Sequence, residues 1–294
     1  MGTRFESDTQ SPTINITNWA LFTTLTLCII ARLTTKFHTF GKIAYDDILI
    51  IASLVFSFSH SLIISIAVGV GYGEHFGRIS ASKFETILKC LYGSSLFHLT
   101  SLRFSKLSLA AFLRSFKTRI ESGIWPWMLE IVISLWMFVS IIGTVFQCSP
   151  PKMWDVWAGS CFNLVAWSCF SSIANTITEL LIIGKGLILT ASVRLSKRRR
   201  LNMTHFFLLR LLVIGSIITE IVIKYGLSPT TDPTYDYWSL TVSHEITQCL
   251  SIVTACWAQI ILFLNWVEWN GLRIQGLTIP INLTNIGYSL MVSN

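Results

Sequence analysis

A continuous apolar run from Leu164 to Ser192 ends in a basic cluster, Arg194, Lys197, Arg198, Arg199 and Arg200. A bilayer core needs about 20 apolar residues at ~1.5 Å rise each, so a helix of this run is long enough to cross it. The cluster behind it is costly to translocate and belongs in the cytosol. That placement orients every other segment. Within the run, Glu179 stands one helical turn after Asn175. A carboxyl group at that depth needs a partner and by default marks a polar site.

Composition supports a membrane protein. Of 294 residues, 52% are hydrophobic and 13% charged, whereas a soluble domain carries roughly twice that charge share. The formal charge of +7 lies in short loops between apolar runs, a topology signal that argues against nucleic acid as a partner. No zinc-type spacing, P-loop or dinucleotide-binding glycine pattern occurs, so neither a metal nor a cofactor is expected. The first apolar run follows a polar start without a cleavage pattern, which predicts a retained anchor.

The expected fold is an all-α membrane protein, a seven-transmembrane helix bundle with its N-terminus outside and its C-terminus cytosolic. The spans are predicted over about Ile14–Leu33, Asp46–Val68, Thr86–Leu113, Trp125–Phe146, the opening run, His205–Gly226 and Ser239–Trp266. Residues 1–13 then form a short extracytosolic N-terminus, 14–269 the membrane domain and 270–294 a cytosolic tail. Inside loops hold Arg32, Lys36, Lys42, Arg114, Lys117, Arg119, the basic cluster and Arg273, against Arg4, Arg78, Lys83 and Lys152 outside. Trp125, Trp127, Trp154, Trp157, Trp238, Trp266 and Trp269 fall near span ends, where indoles favour the interface. The protein is expected to be multi-pass in the plasma membrane or endoplasmic reticulum.

Cys148 and Cys161 share the outer loop between spans four and five, which faces an oxidising compartment. They are the first expected disulfide. Cys90 can instead pair with either one, and free thiols are the remaining alternative.

Ionisable residues inside spans separate by depth. The inner group comprises Asp46, Asp47, Arg103, Lys106, Asn175, Glu179 and Arg210, whose opposite charges can neutralise each other and fix the packing. The outer group comprises His60, His98, Glu220, Lys224, His244 and Glu245, with Gln248 below, and is the candidate ligand-binding site. Glu220 and Lys224 have the i,i+4 spacing of a helix pair. His244 and Glu245 are adjacent and point to different neighbours. A retinal pigment is excluded as an expectation, because no lysine follows Lys224 to form a Schiff base in span seven.

Several positions together resemble the fungal rhodopsin-like integral membrane proteins, a family that includes plant-surface-sensing receptors and a membrane protein of the satratoxin gene cluster. The matching residues are Tyr45-Asp46-Asp47, Leu88-Lys89, Leu91-Tyr92, Lys106-Leu107-Ser108, Cys148-Ser149-Pro150, Trp154, Cys161, Asn175 with Glu179, and Arg198-Arg199-Arg200. Asp232-Pro233-Thr234-Tyr235-Asp236, Trp238-Ser239 and Glu245 complete the set. The chain departs from the family at Gly184-Lys185-Gly186 and at Trp257–Leu264, both at cytosolic helix ends where a receptor reads out its state. Members inside secondary-metabolite gene clusters imply a biosynthetic role.

Three functions compete. The protein binds a small lipophilic ligand as a receptor-like sensor, with G-protein coupling open. It works on a biosynthetic intermediate as a membrane-embedded cyclase or isomerase, with Glu179, Glu220 or Glu245 as the acid. Or it is a transporter, which ranks last because no paired halves or matching broken helices occur.

Overall fold

A computed structural model describes residues 9–115, 124–156, 161–192, 204, 208–227 and 232–276, with backbone alone for 39–40, 125, 192, 233 and 261–276. Among these residues the fold is all-helical, with seven long helices: α1 (Ser11–Phe40), α2 (Tyr45–Val70), α3 (Ala81–Ser115), α4 (Met128–Val145), α5 (Leu164–Ser192), α6 (Leu211–Gly226) and α7 (Trp238–Gly276). Four of them, α1, α2, α4 and α5, are long and apolar enough to cross a membrane.

Helix α3 misses that criterion for a reason visible in its sequence. Ser94, His98, Ser101, Ser105 and Ser108 recur every three or four residues, so they line one face. All five are buried, as are Arg103 and Lys106 on the same helix. The polar face turns inward, and α3 packs against α2, α4, α5 and α7. Helix α1 packs on α2 and α7, and α6 lies between α5 and α7, which closes the bundle.

The apolar side chains run the other way. Leu27, Leu135, Phe138, Ile188 and Val222 are exposed, as expected where the outer solvent is lipid. Between the helices, apolar clusters fill the gaps left by the polar spine. One holds Leu109, Phe112, Leu113, Leu129, Ile133 and Ile182, and another Leu25, Ile29, Ile50 and Ile252.

Helix ends depart from expectation in one informative place. Helix α1 continues to Phe40 and stops at Gly41, whose left-handed backbone (φ 64°) returns its N–H to the Phe37 carbonyl. Arg32 and Lys36, expected in a loop, therefore sit on the last turns of a helix. Helix α7 runs unbroken past residue 269 to Gly276. The basic cluster after α5, residues 205–207 and the tail beyond Gly276 lie outside the described residues, as do Lys117, Arg119 and Trp157.

Candidate functional site

The polar groups inside the bundle form three assemblies, two towards the end expected to be inner and one towards the opposite end, expected to be outer. The first joins α1 to α2. Arg32 donates from Nη2 to Asp46 Oδ2 (2.9 Å), to Asp47 Oδ1 (3.2 Å) and to Ser108 Oγ (3.0 Å). Lys36 Nζ reaches the same two carboxylates at 2.9 and 2.8 Å. Two cations meet two anions, and none is more than slightly exposed. Asp47 also accepts the Ala44 N–H at 3.0 Å, which caps α2. The short turn between α1 and α2 makes this pairing local.

The second assembly centres on Glu179. Lys106 Nζ lies 3.1 Å from Oε1, and Arg210 donates from Nη1 to Oε2 at 2.8 Å. Lys106 also donates to the Asn175 side-chain oxygen (2.5 Å) and the Thr178 hydroxyl (2.8 Å). Arg210 Nη2 donates to the Ser251 carbonyl (3.2 Å), tying in α7. Two cations thus meet one carboxylate, which joins α3, α5 and α6. The inner group expected from the sequence is thus divided. Asp46 and Asp47 belong with Arg32 and Lys36, while Glu179, Asn175, Lys106 and Arg210 belong together. Arg103 stands beside the latter set, against Ser140 (3.3 Å) and the Trp136 ring.

The outer assembly brings together residues of α2, α3, α6 and α7. His60 Nε2 lies 2.9 Å from Glu245 Oε1, and its Nδ1 lies 3.0 Å from the Ser94 carbonyl. A carbonyl only accepts, so Nδ1 carries a proton. Nε2 and the Glu245 carboxyl group are close but make no hydrogen bond with each other. His98 Nδ1 meets the Gln248 side-chain oxygen at 2.9 Å by the same logic. The His98 ring lies 5.4 Å from that of His60 and 4.9 Å from that of His244. His244 Nε2 is 4.0 Å from Glu220 Oε2, and Glu220 Oε1 accepts the Thr247 hydroxyl. Gln248 continues the chain downwards, donating to Ser57 (2.6 Å) and Ser101 (3.1 Å). The Glu220–Lys224 pair that the spacing allows is not formed among the described residues, because Glu220 turns to α7. Among the described residues no group of three or more His, Cys, Asp or Glu side chains is placed to hold a metal ion.

Loops at the same end of the bundle as this assembly interlock. Gln10 donates its N–H to Gly73 (2.9 Å), and Gly73 donates to the Thr234 carbonyl (3.1 Å). Asp232 accepts from His75 Nδ1 (2.6 Å) and the Phe76 N–H (2.9 Å), while Tyr235 stacks on the His75 ring at 4.1 Å. Tyr72 is fully buried, with its hydroxyl 2.6 Å from that of Thr241. Cys148 and Cys161 form the expected disulfide, with Cys90 free. Lys89 sits over the Trp154 ring at 4.9 Å, and Tyr92 donates to the Val145 carbonyl (3.1 Å), so α3 holds the disulfide loop in place.

The model of the fungal rhodopsin domain matches residues 31–265. The chain belongs to the fungal rhodopsin domain family. A SAT4 family membrane protein of Emericella nidulans is 23% identical over 188 residues, covering 61% of this chain and 48% of that protein. The chain therefore spans about half the length of the curated relative it matches. No solved structure matches.

Positions that carried the resemblance to this fungal rhodopsin domain turn out to be contact residues. Asp46 and Asp47 anchor α1, Lys106 and Glu179 lock α3 to α5, and Asp232 and Tyr235 fasten the outer cap. Glu245 is the α7 end of the His60 contact. Sequence reasoning missed the serine spine of α3 and its partners Ser53 and Ser57. The three-and-four spacing of Ser94, His98, Ser101, Ser105 and Ser108 was the available signal.

Proposed function

We propose that the protein is a seven-span membrane protein that binds a small lipophilic molecule in the outer half of its bundle, in the service of secondary metabolism. Residues 14–269 form its membrane domain, 1–13 lie outside and 270–294 are cytosolic. It resides in the plasma membrane or endoplasmic reticulum, with the bilayer as its solvent. The observation that carries this reading is the outer assembly itself. His60, His98, His244, Glu220 and Glu245 come from four helices, meet at one end of the bundle apart from the two charge assemblies at the other, and lie near interlocked loops. Buried ionisable groups are expensive in a membrane. The inner assemblies repay that cost as locks, whereas the outer one has acid–base groups in excess of what packing needs. Such groups suit a ligand with a few oxygen atoms on an apolar frame.

One contact favours an enzymatic version. The His60–Glu245 pair lies beside His98, whose ring stacks on His244, and such a set of acid–base groups suits an acid-catalysed cyclisation or isomerisation of a lipophilic intermediate.

The test is to purify the full chain from its native membranes, extract it with organic solvent and identify released compounds by mass spectrometry. Wild type and a Glu85→Gln surface control should release the same compound. His98→Leu and Glu245→Gln should release little of it. Identical extracts from all four would contradict the reading. Topology is checked by reporters: a C-terminal one should be cytosolic, and an N-terminal tag should be cleaved by protease added to intact cells.

A further inference from the structure

The buried charges around Glu179 do not balance. Lys106 and Arg210 contact its carboxylate directly, and Arg103 lies within electrostatic reach of both Glu179 and Lys106. All three cations are 1% exposed or less. Guanidinium groups keep their proton inside proteins. Lys106 keeps its own as well, because everything its ammonium touches is an acceptor. These acceptors are Glu179, the carbonyl and side-chain oxygens of Asn175, and the Thr178 hydroxyl, whose proton is committed to the Asn175 carbonyl. One carboxylate therefore faces three cations.

Arg103 is the one of the three that does not touch the carboxylate. Its Nη2 donates to Ser140 Oγ at 3.3 Å, and its guanidinium lies 5.6 Å from the Trp136 ring centroid. Its Nε and Nη1 are buried without an acceptor, and so is the indole Nε1 of Trp136. These are N–H donors on facing side chains of α3 and α4, in a region with surplus positive charge. A ring face screens a cation but gives its N–H groups nothing to bond. An unpaired ion in a protein interior is strongly disfavoured unless a counter-charge joins it. Trp136 in turn packs edge-on against Phe170 at 5.2 Å, and Phe170 is half exposed towards lipid. A ligand head at Arg103 thus has an aromatic route along which a tail can leave for the bilayer.

We propose that Arg103 and Trp136 form a binding site for one small monovalent anion, either a halide or the carboxylate head of a lipophilic acid. The site is separate from the outer assembly and does not depend on what binds there. Arg103 supplies the charge and Trp136 an indole N–H and the wall. The anion then lowers the surplus around Glu179 from two positive charges to one.

The test uses the full chain in detergent at fixed ionic strength. Melting temperature is followed as chloride replaces gluconate, and separately as acetate or laurate is added. A saturable rise with chloride, matched by one bound radiochloride per chain, identifies a free halide. A rise with laurate at concentrations where acetate and chloride do nothing identifies a lipophilic acid. In either case Arg103→Met should abolish the response and melt no lower than wild type in gluconate, because the unpaired charge is gone. Should Arg103→Met fail to fold, Trp136→Phe keeps the ring, removes the indole N–H and should shift the midpoint to higher concentration. A wild-type melting temperature indifferent to every anion, or an unchanged midpoint in Trp136→Phe, would overturn the proposal.

Discussion

Lys106 Nζ stands 3.1 Å from Glu179 Oε1, and solvent reaches 1% or less of either side chain. A carboxylate and an ammonium buried together hold α3 against α5, and Arg210 brings α6 to the same carboxylate. Removing one member of such a set strands the others as bare charges, which costs about 3–5 kcal/mol. Glu179→Gln should therefore lower the melting temperature in detergent sharply. Lys106→Met in the same molecule should restore part of the loss, leaving the share that belongs to Arg210. Strictly additive losses in the single and double variants would show that the lock does not operate.

The disulfide between Cys148 and Cys161 closes a loop with a sequence separation of 13. A loop of that size restrains the unfolded chain by about 3 kcal/mol. Cys148→Ala and Cys161→Ala should lower thermal stability equally, and the double substitution should be no worse than either. Cys90→Ala should be nearly silent, since Cys90 is free.

The outer cap should loosen in acid. Burial acts to raise the Asp232 carboxyl, but hydrogen bonds from His75 and the Phe76 N–H outweigh it and hold the group below its usual value. A depressed folded value contributes stability that is complete above the unfolded value of about 3.9. That stability is lost as pH falls through the folded value. Hydrogen exchange of the segment from Tyr72 to Ile79 should quicken across that window, and Asp232→Asn should remove the pH step.

Gly73 has φ 95°, and an added Cβ would lie 2.7 Å from the Ser11 backbone nitrogen. Strain of this kind costs about 1–3 kcal/mol. Gly73→Ala should lower stability by that order and free the N-terminal segment to proteolysis, whereas Gly77→Ala, with open space at its Cβ, should not.

Much of the bundle was legible because a charge in an apolar run is conspicuous. Glu179 and its Asn175 neighbour stood out for that reason, and Lys106 or Arg103 was the expected partner, of which Lys106 makes the contact. Arg32 and Lys36 were not legible as partners of Asp46 and Asp47. Their helix was expected to end at Leu33, which turned buried ligands into loop cations; the i,i+4 spacing of the two cations, facing an Asp doublet across a short turn, was the clue. The serine spine was hidden by the small cost of a serine in lipid. Its bonds contribute only about 0.6 kcal/mol each, so no single position demands explanation. Cap contacts such as His75 with Asp232 join residues far apart in sequence and belong to loops, where periodicity carries no signal.

The central claim is that the His60, His98, His244, Glu220 and Glu245 assembly receives a ligand. The most direct measurement is an experimental structure of the full chain purified from its native membranes. Non-protein density is expected within about 4 Å of His98 and Glu245, lost in Glu245→Gln. Side chains closing on one another there, with no density between them in wild type, would contradict it.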